Sequence, residues 1–220
     1  DPDQDSSLAA FILMKPEFSS NRHYQRKLEE LLHHEQLMDI TGGMFPVDVD
    51  SKILKQMAWI FEPYDLARNS KEIYSMDSER MKKVMEKIFL RIEDYLLGYP
   101  KELKLDTSYS ILYGDNKFAI VSENSTYSRT KMIKDGIKAF ASVRQRKDGF
   151  TYTLGKISDF IQVSIFELYE LFNNIEGIQP DDMDRWGGSN TIGESPRSRG
   201  SKIQPEELFD FVKAHSKNSE

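Results

Sequence analysis

The hydrophobic pattern of the chain changes near residue 105, and this change constrains the fold more than any other feature. Before it, apolar side chains recur every three or four residues, as they do between Met81 and Leu96, which is typical of amphipathic helices. After it, apolar residues in 109–121 flank a short polar turn, the pattern of a β-hairpin. The sequence therefore predicts an α+β or α/β class: a mostly helical part, 1–105, followed by a smaller mixed α+β domain, 106–220, with a β-sheet and flanking helices.

Capping residues, prolines and glycines set the expected ends of these elements. Pro63 is expected to end the third helix, because proline lacks the N–H group that a helix interior needs. Asp77 is expected to cap the fourth helix and Gly98 to close it. A second hairpin is expected to turn at Asp148–Gly149, because Asp-Gly adopts the positive backbone angles of tight turns.

Composition excludes several classes of protein. The chain has no cysteine, which excludes a disulfide framework, a thiolate zinc cluster and a thiol nucleophile. The net charge is −6, so any contact with nucleic acid or phosphate must be local. A membrane span is not expected, because no run of about 18 apolar residues occurs, and we expect a cytoplasmic protein. The sequence begins at Asp1 rather than at Met, and we expect a missing N-terminal piece.

The segment Trp186–Ser201 combines three kinds of residue that suit an anion. Its glycines allow a backbone to approach a ligand, its hydroxyl and amide groups add neutral donors, and Arg197 and Arg199 add charged forks that match phosphate oxygens. The alternative is a mobile polar loop between two helices. A connection of this length favours a binding role, and the segment predicts a phosphate cradle.

Three carboxylates lie within the first five residues. Asp3 and Asp5 alternate in the chain, and hard oxygen ligands of this kind suit Mg²⁺ or Mn²⁺. The alternative is an acidic terminus that complements a helix dipole. Asp39, with Asp48 and Asp50, lies around the Gly42–Gly43 turn, where carboxylates either complete a metal site or cap the following helix. We take Asp3, Asp5 and Asp39 as the candidate metal ligands.

Several of these motifs together resemble the Asp-His-His (DHH) phosphoesterase superfamily. A strand that ends near Lys156, an amphipathic helix and then Gly187-Gly188-Ser189 resemble that family's C-terminal domain, whose glycine loop grips the substrate phosphate or terminal nucleotide. Asp3 and Asp5, preceded by proline, resemble its Pro-Asp-x-Asp motif, which binds manganese or magnesium. Ser189 stands where the glycine loop of the family has a histidine. The Asp-His-His triplet that gives the family its name is absent or lies upstream of the first residue.

The resemblance implies roles for particular residues. Asp3 and Asp5 would serve as catalytic and metal-binding residues, in a helical remnant of the metal-binding catalytic domain. The resemblance implies substrate-binding roles for Lys156, Gly187, Gly188 and Ser189, and the composition of the segment adds Asn190, Arg197 and Arg199. Arg144 and Arg146 are weaker candidates, because charged side chains that flank a hairpin turn are most often solvated. The cofactor would be Mn²⁺ or Mg²⁺, and the ligand a phosphate-containing small molecule or a short oligonucleotide.

Three functions are compatible with these residues. The first is a metal-dependent phosphoesterase that acts on a nucleotide, an oligonucleotide or a related phosphate ester. The second is a non-catalytic binding or regulatory module that keeps the phosphate-binding segment and lacks the metal triplet. The third is a structural role, in which the segment docks a protein partner and Trp186 is the anchor that becomes buried.

Overall fold

A computed structural model of the chain describes residues 3–43, 48–70 and 72–217. It divides the chain into two compact units. Unit 1 comprises Asp1–Asp39 and Asp48–Leu105, and unit 2 comprises Ile40–Val47 and Asp106–Glu220. The predicted class is confirmed, because helices precede a mixed α+β part with a sheet and flanking helices.

The described residues of unit 1 form helices and the connections between them, without a strand. Its helices are α1 (Gln4–Met14), α2 (Pro16–Ser20), α3 (Arg22–Ile40), α4 (Lys52–Asn69) and α5 (Ser78–Leu97), with a 3₁₀ turn at Glu72–Tyr74. The predicted ends of α5 are confirmed. The Asp77 side chain accepts a hydrogen bond from the Arg80 backbone N–H at 2.8 Å, and Gly98 closes the helix with φ at 96°.

The prediction that a helix ends at Pro63 is wrong. Helix α4 continues through this proline to Asn69. Side chains on both sides of Pro63 are buried in the core of unit 1, including Ile60 and Phe61 before it and Tyr64 after it. Burying these large apolar side chains outweighs the one backbone hydrogen bond that proline removes.

Unit 2 contains a six-stranded sheet in the order β1-β2-β3-β4-β6-β5. The strands are β1 (Tyr109–Gly114), β2 (Ala119–Glu123), β3 (Ala139–Arg146), β4 (Gly149–Lys156), β5 (Gly187–Gly188) and β6 (Ile192–Glu194). Only β2 and β3 pair in parallel among these strands, and helix α6 (Ser128–Lys134) forms the crossover between them. Both predicted hairpins, β1–β2 and β3–β4, are confirmed.

Helices α7 (Ile165–Ile175) and α8 (Pro205–Lys217) complete unit 2. The core packs Leu168 and Phe172 of α7 against Tyr152 of β4 and against Trp186. The indole ring of Trp186 lies 5.7 Å from the Tyr152 ring and 4.8 Å from the Phe172 ring, measured between centroids. This aromatic cluster anchors the start of the predicted anion-binding segment to the centre of the domain.

Candidate functional site

The 186–201 segment is a hairpin at the edge of the sheet followed by a turn. Strand β6 pairs with β4 on one side and with β5 on the other. The hairpin closes where the Ser189 backbone N–H donates to the Ile192 carbonyl at 2.7 Å. The sequence predicted a long loop here, because strands of two and three residues are too short to show an alternating pattern.

The glycines of this hairpin allow it to pack against Tyr169. A Cβ atom on Gly193 would lie 1.7 Å from the Tyr169 hydroxyl oxygen, and one on Gly188 would lie 2.4 Å from the Gly193 Cα. The Tyr169 hydroxyl donates to the Ser189 carbonyl at 2.9 Å. Gly187 has open space at its Cβ position. Packing within the domain therefore accounts for Gly188 and Gly193 without a ligand.

A cavity of about 550 Å³ lies beside the hairpin, within unit 2. Glycines and charged residues line much of it: Gly187, Gly188 and Gly193 with Asp184, Arg185, Glu194 and Arg197. Of the predicted substrate-binding residues, Gly187, Gly188 and Arg197 thus come together around one space. Both signs of charge are present at the cavity, so it offers partners to a charged group of a ligand.

Arg197 is an exposed cation at this cavity. Its side chain is 87% exposed, and its Nε donates to the Glu194 carboxylate at 3.2 Å. An ion pair this exposed contributes little to stability, because water screens it well. The guanidinium group can therefore exchange Glu194 for a ligand at low cost.

Arg199, the second predicted phosphate contact, is already bound to carboxylates of its own chain. Its Nε donates to Asp184 at 3.3 Å, and its Nη2 donates to Asp182. The backbone N–H groups of Ser198 and Arg199 also donate to the Asp184 carboxylate, at 2.9 and 3.0 Å. The segment therefore does bind an anion, and that anion is an internal aspartate.

These contacts shift the acidity of both aspartates. Partial burial acts to raise the pKa of Asp184, but the hydrogen bonds from Ser198 and Arg199 outweigh it, so this pKa lies below its usual value. The backbone N–H of Asp184 and then the Arg199 guanidinium lower the pKa of Asp182. Both carboxylates are consequently charged at neutral pH.

Arg146, at the end of β3, orients the turn from the other side. Its guanidinium group donates to the carbonyl oxygens of Arg197 and Ser198, each at 2.9 Å. Sequence reasoning gave Arg146 a weak role, because a cation next to a hairpin turn is most often solvated. No local pattern in the sequence identifies two carbonyls that lie some fifty residues further along the chain as its partners.

Ser189 and Asn190 lie at the hairpin tip, and Lys156 ends β4 beside it, where its backbone N–H donates to the Thr191 carbonyl. None of these three predicted contacts lines the cavity. The Lys156 side chain is 8% exposed, and its Nζ lies 3.5 Å from the Asp159 carboxylate. Asn190 donates to the other oxygen of the same carboxylate at 2.7 Å. Asp159, which sequence reasoning missed, therefore connects two of the predicted phosphate contacts to each other.

Trp186 cannot be the anchor for a protein partner that the third hypothesis names. Trp186 is 1% exposed, and its indole N–H donates to Glu176 at 2.6 Å. The ring is therefore part of the core of unit 2 and is not available to a partner.

In unit 1, Asp3 and Asp5 contact each other, and the charges of all three predicted metal ligands act on Glu35. The Asp3 carboxylate caps α1 by accepting from the Ser6 backbone N–H at 3.4 Å, and a hydrogen bond joins it to the Asp5 carboxyl group. That hydrogen bond is the largest cause of the raised pKa of Asp5. Burial, followed by the negative charges of Asp5, Asp39 and Asp3, raises the pKa of Glu35.

We call Asp3, Asp5, Glu35 and Asp39 the acidic cluster. Sequence reasoning missed Glu35, although its position one helical turn before Asp39 places both on one face of α3. Among the described residues, no group of three or more His, Asp or Glu side chains is arranged to hold a metal ion. Asp3 and Asp5 therefore supply an incomplete ligand set for Mn²⁺ or Mg²⁺, which prefer six ligands.

The other acidic candidates have structural partners. The Asp48 carboxylate accepts from the Asp50 backbone N–H at 3.1 Å, and the Asp50 carboxylate pairs with Lys55 at 3.2 Å. Ser51 takes the N-cap position of α4. The two aspartates therefore shape the entry to this helix.

Comparisons with protein-family models, with curated proteins and with solved structures found no match to this chain. No helix in the described ranges is long and apolar enough to cross a membrane.

Proposed function

We propose that this protein is a metal-dependent phosphoesterase that acts on a nucleotide, an oligonucleotide or a related phosphate ester, in line with its resemblance to the DHH superfamily. The observation that carries the proposal is the anion-binding chemistry of unit 2. A cavity of about 550 Å³ presents the exposed Arg197, and beside it backbone N–H groups and Arg199 hold a carboxylate. Donors that hold a carboxylate also suit a phosphoryl group.

The acidic cluster of unit 1 supports the metal requirement. A hydrogen bond to Asp3 is the main cause that raises the pKa of Asp5, and burial, followed by the charges of Asp5, Asp39 and Asp3, raises the pKa of Glu35. The charges of neighbouring carboxylates thus contribute to both shifts. A bound divalent cation would activate water and neutralise charge on a phosphoryl group. Because the ligand set is incomplete, we assign no catalytic step to a metal here.

One observation favours a second candidate, a non-catalytic phosphate-binding module. Among the described residues, no three potential metal ligands are arranged to hold an ion, whereas the donors around the cavity are in place. In this alternative, unit 2 binds the same phosphate esters and unit 1 takes no part in chemistry.

Hydrolysis of bis(p-nitrophenyl) phosphate with Mn²⁺ tests the enzymatic proposal. The double variant Asp3→Asn/Asp5→Asn should lose the Mn²⁺-dependent rate, because it removes both charged ligands. Asparagine remains a good N-cap, so helix α1 should persist. The matched control is Asp77→Asn/Glu79→Gln, which makes the same changes at the N-cap and first turn of α5.

The control should keep the wild-type rate. Equal rates in the wild type and in the Asp3/Asp5 variant would remove the metal assignment. Binding of phosphate esters by calorimetry with no Mn²⁺-dependent turnover would favour the non-catalytic module.

Calorimetric titration with AMP tests the cavity. Arg197→Ala should weaken binding about tenfold, since it removes one charge-assisted contact. The control is Arg144→Ala, which removes an exposed cation of β3 that does not line the cavity. Binding should also weaken with added salt, because these exposed contacts are screened. If both alanine variants bind AMP as the wild type does, the cavity is not the phosphate site.

A further inference from the structure

We propose that Asp184 occupies, in the free protein, the site at which a phosphate group binds, and that phosphate ligands displace it. This inference rests on the proposed function and names its anion subsite. The subsite consists of the backbone N–H groups of Ser198 and Arg199 with the Arg199 Nε, which we call the 198–199 nest.

The nest is built to bind an anion. Two successive backbone N–H groups and one guanidinium N–H donate to the two oxygens of the Asp184 carboxylate, at 2.9, 3.0 and 3.3 Å. Successive N–H groups that point in one direction form a concave positive surface that suits phosphate as well as carboxylate. Asp184 therefore occupies the nest as an internal ligand would.

Arg146 holds the nest in this orientation. The C=O and N–H bonds of a peptide unit point in opposite directions across its plane. Because Arg146 binds the carbonyls of Arg197 and Ser198, the N–H groups that share those peptide planes, on Ser198 and Arg199, point the other way, towards Asp184. The guanidinium fork thus pre-organises the donors whether or not Asp184 is present.

The backbone after the nest is also fixed. Gly200 has φ at 68°, a conformation that favours glycine, and a Cβ there would lie 2.7 Å from the Phe150 carbonyl oxygen. Ser201 exchanges backbone hydrogen bonds with Phe150 of β4, at 2.8 and 2.9 Å. A donor pair held by the sheet costs little ordering entropy when it binds a ligand.

The nest is accessible from the cavity through Asp184. Both Asp184 and Ser198 line the cavity, and the Asp184 side chain is 23% exposed. A phosphate group in the cavity therefore meets the Asp184 carboxylate before it meets the nest. A phosphate monoester carries more negative charge than one carboxylate and has three terminal oxygens, so it can accept from all three donors.

Competition of this kind lowers the measured affinity. Phosphate binds only the fraction of molecules in which Asp184 has left, so the apparent dissociation constant rises as that fraction falls. Asp184→Asn shifts the balance towards the open nest. The amide loses the negative charge, and its NH₂ group cannot accept from Arg199.

Calorimetric titration with AMP tests the inference with three proteins. Asp184→Asn should bind AMP at least tenfold more tightly than the wild type. Asp181→Asn is the matched control, because it removes the same charge from an exposed neighbour in the same connection. Asp181→Asn should change the affinity for AMP by less than twofold, because it alters only the net charge near the cavity and no contact to the nest.

The outcomes separate this inference from the proposed function. If the wild type binds AMP and Asp184→Asn binds equally or less tightly, the inference is overturned and the phosphate-binding function stands. A gain in Asp181→Asn equal to that in Asp184→Asn also overturns the inference. If neither the wild type nor Asp184→Asn binds AMP, the proposed function fails, and the inference with it.

A measurement on the wild type covers the case in which Asp184→Asn does not fold. In ¹H–¹⁵N spectra, titration with AMP at constant ionic strength should shift the amide resonances of Ser198 and Arg199 more than those of the hairpin tip at Ser189 and Asn190. Saturable shifts elsewhere around the cavity, with Ser198 and Arg199 unmoved, would overturn the inference.

Discussion

The two units treat negative charge in opposite ways. In unit 1 the acidic cluster gathers four carboxylates, and within the described residues no lysine or arginine forms an ion pair with any of them. In unit 2, Asp182 and Asp184 are bound by Arg199 and by backbone N–H groups. Neutralising Asp5 or Glu35, whose pKa values are raised, stabilises the fold, whereas neutralising Asp182 or Asp184, whose pKa values are lowered, destabilises it. Asp3 is the exception in unit 1, because burial acts to raise its pKa but its hydrogen bonds outweigh burial and lower it. The contrast is therefore between a group of carboxylates without basic partners among the described residues and an anion-binding turn that an internal aspartate already fills.

The largest expected effect concerns the hairpin that builds the anion site. Gly193→Ala should destabilise unit 2 by about 3 kcal/mol or more, because its Cβ would lie 1.7 Å from the Tyr169 hydroxyl and 2.6 Å from the Gly187 carbonyl oxygen. The measurement is the free energy of unfolding by urea. Gly187→Ala, with open space at Cβ, is the control and should change it by less than about 0.5 kcal/mol. Equal losses in the two variants would contradict this role of Gly193.

Unit 1 should gain stability when a buried carboxylate loses its charge. Burial is the main cause that raises the pKa of Asp65 to about 6, with Arg68 opposing and Glu62 reinforcing the shift. The folded pKa exceeds the unfolded one, so the penalty is absent below about pH 4 and complete above about pH 6. Asp65→Asn should therefore raise stability at pH 7 by on the order of 2 kcal/mol and have little effect at pH 4. A destabilised variant at pH 7 would show that Asp65 has a favourable partner.

The same kind of substitution in unit 2 should have the opposite sign. Asp184→Asn should lower stability at pH 7 by about 1–2 kcal/mol, because charged hydrogen bonds to the 198–199 nest are lost. The folded pKa of Asp184 lies below the unfolded one, so this stability is present above about pH 4 and is lost as the pH falls through the folded pKa. The measurement is the free energy of unfolding of the variant and of the wild type, at pH 7 and at pH 3. A variant as stable as the wild type at pH 7 would contradict the nest geometry.

The smallest effect is expected at Arg197. Its ion pair with Glu194 is exposed, so Arg197→Ala should change the free energy of unfolding by less than about 0.5 kcal/mol. The Arg197→Ala variant should therefore be fully folded when its weaker binding of AMP is measured. A large loss of stability would mean that Arg197 maintains the fold, and the binding result would need another variant.

Sequence reasoning predicted the elements whose signals are local. Helix α5 has an amphipathic stripe, an N-cap at Asp77 and a closing glycine at Gly98, and the structure confirms all of them. The hairpin β3–β4 follows from Asp148–Gly149 between two apolar runs. Pro63 shows the limit of such signals, because core burial on both sides keeps α4 continuous.

The candidate site was predicted in part. Sequence composition identified the segment and its arginines, and Gly187, Gly188 and Arg197 do line one cavity. The partner of Arg199 was not predictable, since a nearby aspartate in a polar stretch gives no sign of which donors it will meet. The role of Arg146 was not predictable either, because its partners belong to a turn that is distant in sequence and that only the folded sheet brings near.

The contrast between the two units is tested most directly by NMR titration of side-chain carboxyl ¹³C shifts in the ligand-free protein. The account predicts pKa values below the usual aspartate value for Asp182 and Asp184, and values above the usual range for Asp5 and Glu35. Ordinary or raised pKa values for Asp184 would show that it does not sit in the 198–199 nest, and would contradict the account.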